Sequence, residues 1–439
     1  MKAMLSFDQA PPLAAPLRFF LTAPLFGALA GGLLLIQGPG ILASRWMPGT
    51  LALTHLLTVG FMLQAMLGAL LQILPVVTGA TVKRPLALAR GVHGAVTLGV
   101  GLLVAAFLSF KPILFQGAVF LLGGGVLLFL TAVINALGRR HLGDYGENGD
   151  TPTNWALKLA LLGLGGTVFL GALLAASLGW QFPLPLNLTT NIHLTWGLVG
   201  WGGLLLSGVA YVVVPMFLLT PPFPQWLTRI LAPWTFLFLA LWSGAVAAGW
   251  GYADILAIGL VLACGSFALV ALVLLVRSKR ARLDATQGYW RLGLGSGLVA
   301  SLLWLLARVL PGLAAWDALP LAFGILLLVG GFMSVISGML YKIVPFLFWL
   351  HLQNAGQGRV AAPNMKKILA EPPMLRQMLC HAVTLALLLG AVLFPGWLVY
   401  PAGLALLLDS LWLGWNLLAG LKVYRSHLTH IRQRLSELS

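Results

Sequence analysis

Two histidines offer the clearest ligand chemistry in this chain. His55 lies 13 residues before Gly68 and His193 lies 15 residues before Gly208, each near the outer end of a long apolar run. Polar side chains are costly inside a bilayer, so imidazoles at such positions call for an explanation. An imidazole nitrogen is a common ligand for haem iron and for copper. With a rise of about 1.5 Å per residue the two rings differ in depth by only about 3 Å. They could share a site or flank one if both helices line the centre. Interfacial histidines bonded to headgroups or loop carbonyls would occupy the same positions, and that alternative stays open.

Other polar residues suggest less. Asp409 falls near mid-depth of the last apolar segment and is the one acid clearly inside such a segment. It either relays protons or bonds to a nearby hydroxyl or to Asn416. Lys342, beside Tyr341, is expected to snorkel to the surface. Gln64 and Gln72 read as glue between helices. His93, His351 and His381 fall near helix ends, where interface placement accounts for them, and His427 and His430 share a wet face of the tail helix. Cys264 and Cys380 are isolated packing residues. Asp144, Glu147 and Asp150 lack the spacing of a calcium loop and read as a solvated turn. No phosphate loop, nucleophile triad or Cys/His metal knuckle is legible, so no catalytic residue is assigned.

Helices must position these residues. The chain has 439 residues, 60% hydrophobic and only 8% charged, against roughly 25% charged in soluble domains. It reads as an all-α integral membrane protein whose first partner is the lipid bilayer. Apolar stretches predict twelve helices, near 16–38, 50–77, 87–109, 113–138, 155–179, 191–219, 229–249, 252–277, 287–309, 317–349, 376–398 and 400–422. The alternating segments of an outer-membrane barrel are missing. The net charge of +16 does not mark a nucleic-acid partner. Lys83, Arg84 and Arg90, Arg139 and Arg140, Arg277 to Arg282, Lys366 to Arg376 and Lys422 to Arg434 fall on one set of connections. That asymmetry predicts both termini on the cytoplasmic side. The first apolar run follows Asp8 without a convincing cleavage site and is expected to be the first helix rather than a signal peptide.

A pattern, Gly-x7-Gly-x6-Pro, recurs at Gly60/Gly68/Pro75, Gly200/Gly208/Pro215 and Gly330/Gly338/Pro345. It marks the second, sixth and tenth helices and predicts three pseudo-repeats of four helices, near 1–142, 143–284 and 285–439, in a single membrane domain. Arg18, Lys158 and Arg291 open the first helix of each unit. Glycines at the repeated positions permit close helix approach and suit packing of the three marked helices about a central axis. The third unit has Phe323 and Ile325 where histidines would map, which excludes a symmetric three-histidine site.

Three units of four helices, with a histidine high on the second helix and another on the sixth, resemble the architecture of haem-copper oxidase subunit I. The segment His55-x4-Gly60-x7-Gly68-x6-Pro75-x2-Thr78-Gly79 is similar to that of the NnrS family, twelve-helix haem- and copper-containing membrane proteins linked to nitric oxide metabolism. The resemblance implies a bacterial inner-membrane protein in respiratory or nitric oxide related redox metabolism, with respiratory or electron-transfer proteins as partners. It implies His55 as a haem ligand and His193 as a copper or haem ligand. The chain departs from an oxidase elsewhere. The seventh helix, Leu231 to Leu241, has no histidine pair, the tenth has only His351 at the wrong end, and Tyr211 lies five turns beyond His193. A complete oxygen-reducing binuclear centre is therefore not expected. A proton-coupled permease using Asp409 and a cofactor-free scaffold or assembly subunit are the rival expectations.

Overall fold

A computed structural model of the protein describes residues 10–140, 151–280 and 284–437. Among these residues every regular element is helical and no strand forms. Twelve helices are long and apolar enough to cross a membrane. They are α1 (Ala14–Leu42), α2 (Pro48–Thr78), α3 (Pro85–Ser109), α4 (Pro112–Arg139), α5 (Pro152–Trp180), α6 (Leu186–Leu218), α7 (Gln225–Ala247), α8 (Ala253–Val276), α9 (Ala285–Val309), α10 (Leu319–Ala355), α11 (Glu371–Leu393) and α12 (Pro395–Glu437). Hydrocarbon offers no partner to a peptide group, so an apolar chain satisfies its backbone within each helix.

All twelve expected segments are present, with shifted ends. The break between the last two falls at Phe394 rather than near 399. Pro395 disfavours helical backbone in the residue before it, and Phe394 sits at φ −130° and ψ 64°. Beyond it α12 runs on past 422 as one helix of 43 residues. Asp144, Glu147 and Asp150, and the expected junction at 142–143, lie outside the described residues.

Packing divides the chain into two compact units. One comprises Met1–Pro11, Leu70–Ala281 and Leu294–Leu319. Within it α5 packs on α4, α6 and α7, and its glycines explain how. A methyl group on Gly163 would overlap the main chain of Gly200 on α6, and Gly166 lies against the ring of Trp196. Two helices can approach this closely only where no side chain intervenes. Trp196 is then fixed by the N–H it donates to Ser243 on α7, at 2.9 Å. At the surface of this unit Arg308 and Asp254 form an ion pair of 2.8 Å with both side chains largely exposed. Arg308→Gln should change unfolding stability by less than about 1 kcal/mol, because exposed pairs are screened; a denaturant titration of the purified protein checks this.

The other unit comprises Pro12–Ala69, Arg282–Gly293 and Pro320–Ser439. Here α1 and α12 lie against each other through small residues. Gly27 faces Ser410, Gly31 faces the main chain of Leu407, and Gly403 faces Leu34. Gly27 and Gly31 are four apart and therefore share one helix face.

The repeated glycines serve a different contact from the expected one. Gly68 receives Phe19 and Phe20 of α1, Gly208 receives Ala156 of α5, and Gly338 receives Tyr289 of α9. Each seats the helix that opens its own proposed unit, rather than another marked helix. Direct contact between marked helices is found within the second unit, where Leu56–Leu63 of α2 meets Leu326–Met333 of α10. Both stretches are π-helical, as is Trp196–Gly203 of α6. Each is eight residues long and begins four residues before the first glycine of its pattern. A π turn inserts a residue into the helix, so faces above and below it fall out of the ordinary 3.6-residue register.

Candidate functional site

His55 is the last residue of α2 before its π segment. Its Nδ1 lies 2.7 Å from the carbonyl of Leu51, one turn back. A carbonyl only accepts, so Nδ1 carries a proton, and in the neutral ring Nε2 holds the lone pair that binds metals. His193, in the other unit, reaches the same tautomer by another route. Its Nδ1 lies 2.9 Å from the carbonyl of Thr167 on α5, and its ring rests over Gly171, where a Cβ would come within 2.8 Å. The two histidines thus belong to different units, and each presents one oriented imidazole.

The donor chemistry separates the two groups expected here. Among the described residues no three His, Cys, Asp or Glu side chains stand together to hold a metal ion. Copper centres draw on several such donors, whereas one axial histidine suffices for haem iron. Among the described residues no three-donor set of the kind a copper centre uses is assembled, and His55 and His193 each present a single imidazole.

The most developed polar assembly lies in the second unit and was largely missed by sequence reasoning. His381 is not an interfacial residue: it is 0% exposed, as is Asp409. His381 Nδ1 lies 2.7 Å from Asp409 Oδ2, and its Nε2 lies 2.9 Å from Ser334 Oγ. Asp409 Oδ1 accepts from Gln377 Nε2 at 2.6 Å. The Gln377 carbonyl oxygen in turn accepts from the hydroxyls of Tyr289 and Tyr341. Asn416 donates to Tyr341 at 2.8 Å and makes no bond to the acid. Asp409 is therefore partnered by a histidine and an amide, not by the hydroxyl or Asn416 expected of it. Buried polar groups need such partners, because each one left unsatisfied costs about 1–3 kcal/mol.

Ser334, His381 and Asp409 have the connectivity of a nucleophile triad, which the sequence did not display. Their separation along the chain hid it. A local signal did exist: Gln377, His381 and Thr384 recur at helical spacing on α11, and all three are buried. An acid on α12 and a polar stripe on the helix preceding it are natural partners.

Lys342 is also more engaged than a snorkelling residue would be. It pairs with Asp284 at 2.7 Å, both side chains being mostly buried. Asp284 accepts the N–H of Gln287 as well, at 2.9 Å, and Glu371 accepts that of Ala285 at 2.6 Å. These acids satisfy N–H donors that have no intrahelical partner at the start of α9, where the helix dipole favours negative charge.

Comparison with protein-family models and with curated proteins finds no match for this chain.

Proposed function

We propose that the chain is a divergent haem-copper-oxidase-like protein of a bacterial inner membrane, with both termini cytoplasmic. In this reading it is built as three units of four helices and holds haem through His55, His193 or both. It serves respiratory or nitric oxide related redox metabolism, exchanging electrons with a partner protein. The observation that carries the reading is the fixing of each imidazole through Nδ1 to a main-chain carbonyl. That bond sets the tautomer a metal needs and holds the ring in place before any metal arrives. The shared register of the three π segments supports the threefold plan. Haem, when bound, supplies one-electron exchange at a potential that its surroundings tune. The chain's own residues orient the ligands: Leu51 and Thr167 through their carbonyls, and Gly171 by leaving room for the ring.

The test is an absorption spectrum of the full-length protein in mild detergent, with iron and copper measured on the same sample. A Soret band that disappears in His55→Ala or His193→Ala, with iron lost in step, is the expected result. A colourless, metal-free and well-folded preparation from cells supplied with haem and copper overturns it. The buried Asp409–His381 pair favours a second reading, a proton-coupled permease. That reading requires pH-driven solute uptake by vesicles, lost in Asp409→Asn.

A further inference from the structure

The cluster around Asp409 has two hydrogen-bonding arrangements that differ by one proton. Gln377 turns its carbonyl oxygen to two tyrosine hydroxyls, so its N–H groups face Asp409. A carboxylate that accepts from Gln377 on one oxygen and from His381 on the other is satisfied in its ionised form. The proton count then rests on Ser334. Its hydroxyl is 3.2 Å from the carbonyl of Val329 and 2.9 Å from His381 Nε2. Ser334 has a single proton to donate. When that proton points at Val329, the contact with His381 is a bond only if Nε2 carries a proton too, and the ring is an imidazolium. When it points at Nε2, the ring is neutral and protonated at Nδ1 alone.

We infer that Ser334, His381 and Asp409 form a proton-binding site within the membrane helices of the second unit, with the Ser334 hydroxyl turning between its two acceptors as the proton comes and goes. On uptake a proton bonds to His381 Nε2, and the Ser334 O–H swings to the Val329 carbonyl. On release Nε2 gives up that proton and the hydroxyl swings back; no other bond changes. The loaded state is an imidazolium beside a carboxylate, with no net charge. The empty state leaves one negative charge in a low-dielectric interior, which is costly unless charge elsewhere moves with it. Occupancy of the site is therefore coupled to its electrical surroundings.

The groups around the pair do not supply a competing charge. Tyr289 of α9 and Tyr341 of α10 face it and are committed to Gln377. Cys380 of α11 lies beside His381 in sequence. From α1, Gly27 faces Ser410, and the one charged residue of that helix, Arg18, lies nine residues further along. The part of α2 in this unit carries no titratable side chain besides His55. Arg291 on α9, Arg376 on α11, Lys422 on α12, and Lys366 and Lys367 on the short helix Met365–Ile368 packed against α12 are exposed, and Lys342 is paired with Asp284. A hydrolase built on the same three residues is the less favoured use. Ser334 is 0% exposed, and its Oγ is shared with its own helix.

The inference is independent of whether haem sits at His55, and it is tested on the full-length protein in detergent by infrared difference spectroscopy between acid and alkaline buffers. Among the signals of the chain's eight histidines and ten acids, wild type should show one imidazole and one carboxylate signal that titrate together, accounting for one proton per chain. Asp409→Asn and His381→Gln should each abolish both signals. Ser334→Ala removes no charge and is expected to fold even where those two do not. It should keep the one-proton signal while displacing the imidazole ring band, because Nε2 loses its partner. Signals that persist unchanged in all three variants, or a ring band unmoved by Ser334→Ala, overturn the inference. So does labelling of Ser334 by a fluorophosphonate, which would make the serine a nucleophile.

Discussion

His381→Ala is expected to destabilise the protein by about 3–5 kcal/mol, because it strands a carboxylate in the membrane interior. Asp409 would keep Gln377 as a donor at 2.6 Å and lose its hydrogen bond with His381. The cost comes from the charge left behind more than from the contact removed. A double variant, His381→Leu with Asp409→Leu, should therefore recover most of the loss, since apolar residues of similar volume replace a buried pair at little cost. Unfolding of the purified proteins in the same detergent, by circular dichroism against temperature or denaturant, reads both effects. A double variant as unstable as His381→Ala would show that the pair acts through shape rather than charge.

The second large effect is expected at Gly163. A side chain there meets the main chain of Gly200, which cannot rotate aside as a flexible neighbour would. Gly163→Val should cost at least the upper end of the about 1–3 kcal/mol typical of overpacking. It should also displace the ring of His193, whose Nδ1 is held by Thr167 on the same helix. Gly165, two residues away, has only an ordinary contact with Leu130, at 3.8 Å from an added Cβ. Gly165→Ala should stabilise the helix by about 0.5–1 kcal/mol through backbone entropy alone. Opposite signs at the two positions, measured by the same unfolding experiment, would separate close helix approach from a general intolerance of larger residues.

Much of the architecture was legible because its physical cause is local. Apolar stretches of membrane-spanning length make helices wherever they occur, so twelve segments followed from composition along the chain. The glycine pattern was legible as well, and it marks three π segments in one register. What those glycines receive was not legible. A glycine in sequence advertises room without naming the helix that fills it, and at the second glycine of each copy, Gly68, Gly208 and Gly338, the preceding helix does so. The π segments also break the regular helical phase between His55 and Gly68, so reasoning about faces across that stretch fails.

The candidate sites divide in the same way. The positions of His55 and His193 were conspicuous because each is an imidazole in an apolar run. Their tautomers depend on carbonyls that only the folded backbone supplies. Asp409 stood out for the same reason, and its partner was misjudged because His381 lies near the start of an apolar segment, where position alone suggests an interface. By itself the sequence determined that this is a helical membrane protein, which residues in it are costly, and where a pattern repeats, all consequences of solvation and of neighbours along the chain. Only the tertiary structure decided that α11 and α12 pack so that His381 faces Asp409, that Ser334 and Gln377 complete the line, and that Thr167 holds His193. Those contacts join residues 26 to 47 positions apart, and pairing over such distances is fixed by which helix faces meet.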